Sequence, residues 1–228
     1  MREVVLDTET TGLDPGSGHR IIEIGCIELV NHIATGKHFQ KYLNPERDIP
    51  AGAGAVHGLT EEFLSDKPLF SEIADALEEF LSDSILIIHN ASFDLGFLNA
   101  ELERLDRTPL SPERAIDTVS LARQKFPGAP ANLDALCRRF QIDLSDRDLH
   151  GALKDARLLS EVYLELIGGR QQDMELASEK RQRPDGAAQN RRTARPHAAT
   201  NEEEAAHKQF LKKLSAPIWE TRAPDEKP

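Results

Sequence analysis

Apolar residues change their spacing along this chain, and the changes mark out its elements. Val4 to Thr8 is a short β-rich run. Ile21 to Val30 is apolar over most of its length, with Glu23 and Glu28 set into it, and Phe39 to Leu43 follows. Three such runs so close together predict an antiparallel meander. Ser71 offers an N-cap for a helix on which Ile73, Ala74, Leu77, Phe80 and Leu81 recur at helical spacing. Ile85-Leu86-Ile87-Ile88 is unbroken and reads as a buried central strand. Ser92 is placed to cap the next helix, whose stripe is Phe97, Leu98, Leu102 and Leu105. Further helices are expected at 118–126 and 132–140. The last runs from about 151 to 167, with Leu158, Leu159, Val162, Leu166 and Ile167 facing inward. The fold class is α/β, a mixed central sheet flanked by helices, over residues 1–168.

After Gly168-Gly169 the pattern stops. Residues 177–200 hold six Lys or Arg, two Asp or Glu, two prolines and no large aliphatic or aromatic side chain. Such a segment cannot bury a core and reads as a flexible basic linker, which we bound at 169–200. Helical potential returns at 201–215 with Ala205, Ala206, Phe210, Leu211 and Leu214, followed by Ile218 and Trp219. An amphipathic tail of this length does not fold alone, so 201–228 is expected to dock on another protein.

Composition refines this picture. An apolar fraction of 39% and an aromatic fraction of 5% agree with part of the chain staying outside the core. The formal charge is −11; residues 177–200 contribute six minus two, or +4, so the rest carries −15. Acidity ordinarily argues against nucleic-acid binding, but acids that hold metals inflate the count, and the metals themselves attract phosphate. Cys26 and Cys137 both lie in apolar patterns, which points to buried thiols in a reduced, cytoplasmic protein. The apolar run at Val4-Val5-Leu6 is too short for a signal peptide or a membrane span, and no other segment qualifies.

The candidate chemistry lies in acids placed where the pattern predicts inward positions. Asp7 and Glu9 are two apart on a strand, so both point to one face at the end of a buried run. Asp94 shares a helical stripe with Phe97 and Leu98. Asp155 heads a stripe continued by Leu158, Leu159, Val162 and Leu166, and His150 precedes it by five residues. Each feature alone has a plainer reading: solvated acids at a strand end, a helix-start acid on its dipole, a buried ion pair, a His-Gly turn. Taken together, four converging carboxylates repel unless cations lie between them. The chemistry that follows is two-metal phosphodiester hydrolysis, with two hard cations about 3.5–4 Å apart on carboxylate oxygens. Oxygen ligands favour Mg²⁺ or Mn²⁺. An unperturbed imidazole side chain titrates at about 6.5, so a histidine at position 150 is suited to take the proton of the attacking water.

These motifs resemble those of a known family. Leu6-Asp7-Thr8-Glu9-Thr10-Thr11-Gly12, His89 through Leu98, and His150-x-x-x-x-Asp155 are similar in order and spacing to the three exonuclease motifs of the DEDDh 3′–5′ exonucleases, which share a ribonuclease H-like fold. The tyrosine form of the family carries its tyrosine four residues before the last aspartate, where this chain has Gly151. The resemblance implies metal ligation by Asp7, Glu9, Asp94 and Asp155, with His150 as base. It also implies that His57, in Val56-His57-Gly58-Leu59-Thr60, contacts the nucleotide. Thr8 and Thr10 would support the terminal nucleotide beside Asp7, Glu9 and Asp155. Asp117-Thr118 reads as a helix cap rather than a metal site. Within the family the chain is most similar to proofreading subunits of replicative DNA polymerases. Gln171-x-x-Met174-x-Leu176 is similar to a sliding-clamp binding peptide, with Leu176 in place of the usual terminal aromatic. The tail from Glu202 to Trp219 is similar to a segment that docks on the polymerase catalytic subunit.

The leading expectation is therefore a 3′–5′ exonuclease that trims single-stranded or frayed DNA 3′ ends for a polymerase. One alternative is a free-standing family member trimming RNA or short oligonucleotides. Another is a scaffold that binds polymerase and clamp and whose acids are inert.

Overall fold

Strand alternation in β1 (Arg2–Thr10) decides which helices pack on which face of the sheet. The computed structural model describes residues 1–145, 149–168 and 198–215. In it β1 pairs antiparallel with β2 (Ile21–Val30), and β2 with β3 (Ile33–Tyr42), which is the expected meander. The segment after β3 forms two short helices, α1 (Ala51–His57) and α2 (Glu61–Leu64), and then α3 (Phe70–Leu81). β4 (Ile85–Ile88) joins β1 in parallel, α4 (Ala91–Glu103) follows, and β5 (Ala115–Asp117) pairs in parallel with β4. The sheet order is β3-β2-β1-β4-β5. Next come α5 (Thr118–Lys125), α6 (Leu133–Phe140) and α7 (Ala152–Leu166).

Val4, Leu6, Ile24, Cys26, Leu86 and Ile88 face α3 and α4, where Ile73, Leu77, Leu81, Phe97, Leu98 and Leu102 close one core. Val5, Ile27, Leu29 and Ile87 face the other way, onto Leu136 and Cys137 of α6 and Ala156, Leu159, Val162 and Tyr163 of α7. Both thiols are buried and free, as the sequence indicated. Burial pushes the Cys137 thiol up to about 11 and Cys26 higher still.

Several local expectations needed correction. β3 begins at Ile33, because Asn31 and His32, at φ 51° and 67°, close a tight hairpin and start the strand early. The first half of β3 lies exposed at the sheet edge, so it shows no apolar alternation. Ser71 does not cap α3. Its start is at Leu69, whose N–H donates to Glu72 Oε2 at 2.7 Å. Nor does Ser92 cap α4, which starts from Asn90 in the left-handed region (φ 68°), a conformation Asn tolerates. The Asn90 N–H donates to Asp117 Oδ1 at 3.0 Å, and the same oxygen accepts from Val119 N, so Asp117 is the helix cap that was expected. Ile167 lies just past α7 and is exposed, not inward.

The chain divides into two compact units, Met1–Ala177 and Ser178–Pro228. In the second, α8 (Asn201–Leu211) is capped by the Thr200 hydroxyl and the Glu203 carboxylate and buries none of its side chains; Phe210 is 58% exposed. The expected clamp-binding peptide at 171–176, linker residues 169–197 and Trp219 lie outside the described residues.

Candidate active site

Parallel pairing ends β4 beside the middle of β1, with Val5 opposite Ile87, so the acids in the second half of β1 meet the first turn of α4. Ligand sites in α/β sheets favour this edge. Asp7 and Glu9 point to the α7 side, where Asp155 sits in that helix's first turn. Asp94 arrives from the opposite layer. Its Oδ1 accepts from the Thr8 N–H at 3.0 Å and the Thr8 hydroxyl at 2.7 Å. The structure thus brings Asp7, Glu9, Asp94, His150 and Asp155 together at one strand end.

Crowding and burial raise the carboxyls of this cluster. The Asp7 carboxyl is pushed well above the usual carboxylate range by desolvation, then by Asp94, Asp155, Glu9 and Glu23. Burial lifts Asp94 to about 7 against the pull of the Thr8 hydrogen bonds. Neither Asp7 nor Asp94 forms an ion pair with Lys or Arg among the described residues. Ligand atoms of Glu9, His150 and Asp155 lie within 4.8 Å of one another. A donor set this rich in carboxylate oxygen fits a hard divalent cation.

His150 is held from two sides. Its backbone N–H donates to Val56 O at 3.2 Å, and its Nδ1 lies 3.1 Å from Asp155 Oδ2. A carboxylate accepts, so Nδ1 carries the proton and the lone pair of the neutral ring is on Nε2.

Two clefts flank the acids. One, of about 640 Å³, is lined by Thr8, Glu9, Thr10, Leu13, Val56, His57 and Phe93 among others. Leu13 is 85% exposed, a large apolar side chain in a cleft lining. His57 is buried there. Its Nδ1 accepts from Leu59 N at 3.0 Å, which places the proton on Nε2, and Nε2 has no partner among the described residues. Burial lowers its pKa. The hydroxyls of Thr8 and Thr10 already donate within the protein, Thr8 to Asp94 and Thr10 to Gly12 O at 2.6 Å. Their roles include shaping the acid cluster and its turn. The second cleft, of about 370 Å³, is lined by Asp7, His89, Asn132, Asp134, Arg138, His150 and Asp155. The sequence reading missed Leu13, Phe93, Asn132 and Arg138. Phe93, inside the second motif, and Leu13, an apolar residue just after the first motif's turn, carried a signal.

The raised carboxyls make the stability of the metal-free protein depend on pH. Between the ordinary carboxylate range and their raised pKa values, Asp7 and Asp94 bind more protons folded than unfolded, so stability falls as pH rises. His57, with its lowered pKa, opposes this only up to about pH 6.5. Metal-free protein is therefore expected to melt at a lower temperature at pH 8 than at pH 6.5. Mn²⁺ should reverse the trend, since only ionised carboxylates ligate. Thermal melts with chelator and with Mn²⁺ test this; a flat metal-free profile contradicts it.

A mixed α/β sheet that gathers acids at one strand end between two clefts defines a metal-dependent nuclease. The exonuclease family model matches residues 4–163. The DNA polymerase III subunit epsilon of Rickettsia felis is 53% identical over 223 residues, covering 94% of this chain and 97% of that protein. That of Escherichia coli K12 is 43% identical over 236 residues, covering 96% and 97%. Among solved structures, exonuclease X in complex with 5′ overhanging duplex DNA aligns with a TM-score of 0.57 at 26% identity, over 72% of this chain and 90% of that one. The nuclease domain of 3′hExo, a DEDDh family member bound to rAMP, shares the fold at a TM-score of 0.62 and 18% identity, over 73% and 91%. The chain belongs to the exonuclease family, in the branch of the DNA polymerase III epsilon subunits. The family and the ribonuclease H-like fold expected from the motifs are both borne out. Among the described residues, no helix is long and apolar enough to cross a membrane.

Proposed function

We propose that this chain proofreads for a replicative DNA polymerase. Asp7, Glu9, Asp94 and Asp155 would hold two divalent cations, Mg²⁺ or Mn²⁺, and His150 would act as base. The chain is a 3′–5′ exonuclease, releasing the terminal nucleotide from single-stranded or frayed DNA. The observation that supports this most is the convergence of four carboxylates and one oriented imidazole between two clefts.

Bound cations would supply Lewis-acid chemistry, easing deprotonation of the attacking water and offsetting charge on the phosphoryl oxygens. The residues do the rest. His150 Nε2 takes the water proton while Asp155 holds Nδ1–H and fixes the ring. Thr8 locks Asp94 in one orientation. The larger, mostly apolar cleft receives the base and sugar of the terminal nucleotide, with the His57 Nε2–H as a donor lacking a partner among the described residues. A mispaired end unstacks at lower cost than a paired one, so a cleft that admits one unpaired nucleotide selects errors.

In this reading residues 1–168 form the catalytic domain, 169–200 a linker with a clamp-binding peptide at 171–176, and 201–228 a tail that docks on the polymerase catalytic subunit. An α8 with no buried side chain and an exposed Phe210 supports the docking role. The protein would act in the cytoplasm, where both thiols stay reduced.

The test is metal-dependent release of mononucleotides from a labelled 3′ end, compared among mismatched DNA, paired DNA and an RNA oligomer. Mismatched DNA is expected to be cut fastest; preference for RNA would sink the proofreading assignment. His150→Ala should slow turnover about 10²–10⁴-fold.

A further inference from the structure

Glu23 is a buried acid that the mechanism above does not use. It lies in β2, 2% exposed, directly opposite Glu9 in the β1–β2 register, and its charge is one of those that raise Asp7. A carboxylate beside an acid cluster adds repulsion, so something must offset it. The offset comes from α7. Gly151, the N-cap residue of that helix, has no side chain with which to cap it. The N–H of Ala152, the first helical residue, donates instead to Glu23 Oε2 at 3.1 Å, across 129 positions in sequence. Gln40 Nε2 donates to Glu23 Oε1 at 2.8 Å and also reaches the Tyr42 hydroxyl. The Tyr42 phenol is pushed up by burial and then by the Glu23 charge, which places it close to the same carboxylate. Orphan N–H groups and the positive end of the helix dipole favour an anion at this point.

Asp155 sits in the turn so capped, and its own N–H bonds to Gly151 O at 2.9 Å. His150 precedes the cap by one residue and leans on Asp155. We infer that Glu23 is a positioning residue for the reaction: capping α7 from the neighbouring strand, it fixes Asp155 and His150 against Asp7 and Glu9. This rests on the exonuclease reading of the site.

Three variants separate the cap from its charge. Glu23→Ala removes both. Glu23→Gln keeps an acceptor of equal reach, and Gln40 can turn its amide to match. Glu23→Asp keeps the charge but falls short by one methylene. For Glu23→Ala, kcat on a labelled 3′ end is expected to fall about 10–100-fold with KM nearly unchanged, and calorimetric Mn²⁺ affinity to weaken over a similar range. Glu23→Gln should recover kcat at saturating Mn²⁺ to within about threefold of wild type. Glu23→Asp should behave like Ala. Where Glu23→Ala fails to fold, the Gln and Asp variants still decide. An active Asp variant beside an inactive Gln variant, four indistinguishable proteins, or a change in KM alone would each overturn the assignment. Wild-type protein that releases no mononucleotides would instead sink the exonuclease reading itself.

Discussion

Asp7→Asn is expected to abolish release of mononucleotides from a 3′ end while leaving the metal-free protein at least as stable as wild type. Asp7 lies among four other carboxylates, and desolvation and those charges together push its pKa well up. Without cations, its ionised form is a burden on the fold. Asparagine matches its shape and removes one charge from the cluster, so the metal-free protein should melt no lower than wild type in chelator at pH 8. Catalysis moves the other way. In the proposed mechanism, losing a ligand oxygen removes several kcal/mol of transition-state stabilisation, and at about 1.36 kcal/mol per decade the loss is on the order of 10³-fold or more. Stability held while activity vanishes is the signature of an acid kept for chemistry. A scaffold with inert acids predicts otherwise: Asp7→Asn, like Asp7→Ala, would leave every measurable function intact. Single-turnover assays with Mn²⁺, set beside melts in chelator, separate the two.

The acids were legible in the sequence because each interrupts an apolar pattern, and a charge inside such a pattern must be accounted for. Asp155 at the head of Leu159, Val162 and Leu166 is the plainest instance, and all three are buried behind it. Asp117 was legible as a cap for the same local reason. What escaped depends on partners far away in sequence. Ser71 and Ser92 had the right chemistry for caps, but backbone geometry at Leu69 and Asn90 started those helices earlier. The Asn31-His32 turn lacks the glycine that advertises a tight hairpin, so the exposed half of β3 went unseen. Glu23 was visible as a charge within a strand, yet its role needs the β1–β2 register and the start of α7, which no local pattern contains.

Gly25→Ala should be as damaging as the loss of an acid, although Gly25 has no chemistry. It pairs with Asp7 in the β1–β2 register. A Cβ there would lie 2.3 Å from Ala152 C and Leu153 N and 2.5 Å from Ala152 O. Those are backbone atoms, so no side-chain rotation relieves the clash and the first turn of α7 must move. Asp155, in that turn, moves with it. A displacement of about 1 Å at a reacting centre can cost 10²-fold. We expect kcat to fall by at least about that factor, and overpacking to destabilise the fold by about 1–3 kcal/mol or more. Gly36→Ala is the contrasting control. Gly36 has φ +89°, and the space a Cβ would take there is open to 4 Å, so alanine meets backbone strain alone. It should cost about 1 kcal/mol of stability and leave kcat unchanged. Denaturant midpoints and turnover of a labelled 3′ end, measured on both variants, check the pair. Full activity in Gly25→Ala would mean that the α7 start need not press against β2 for Asp155 to reach Asp7.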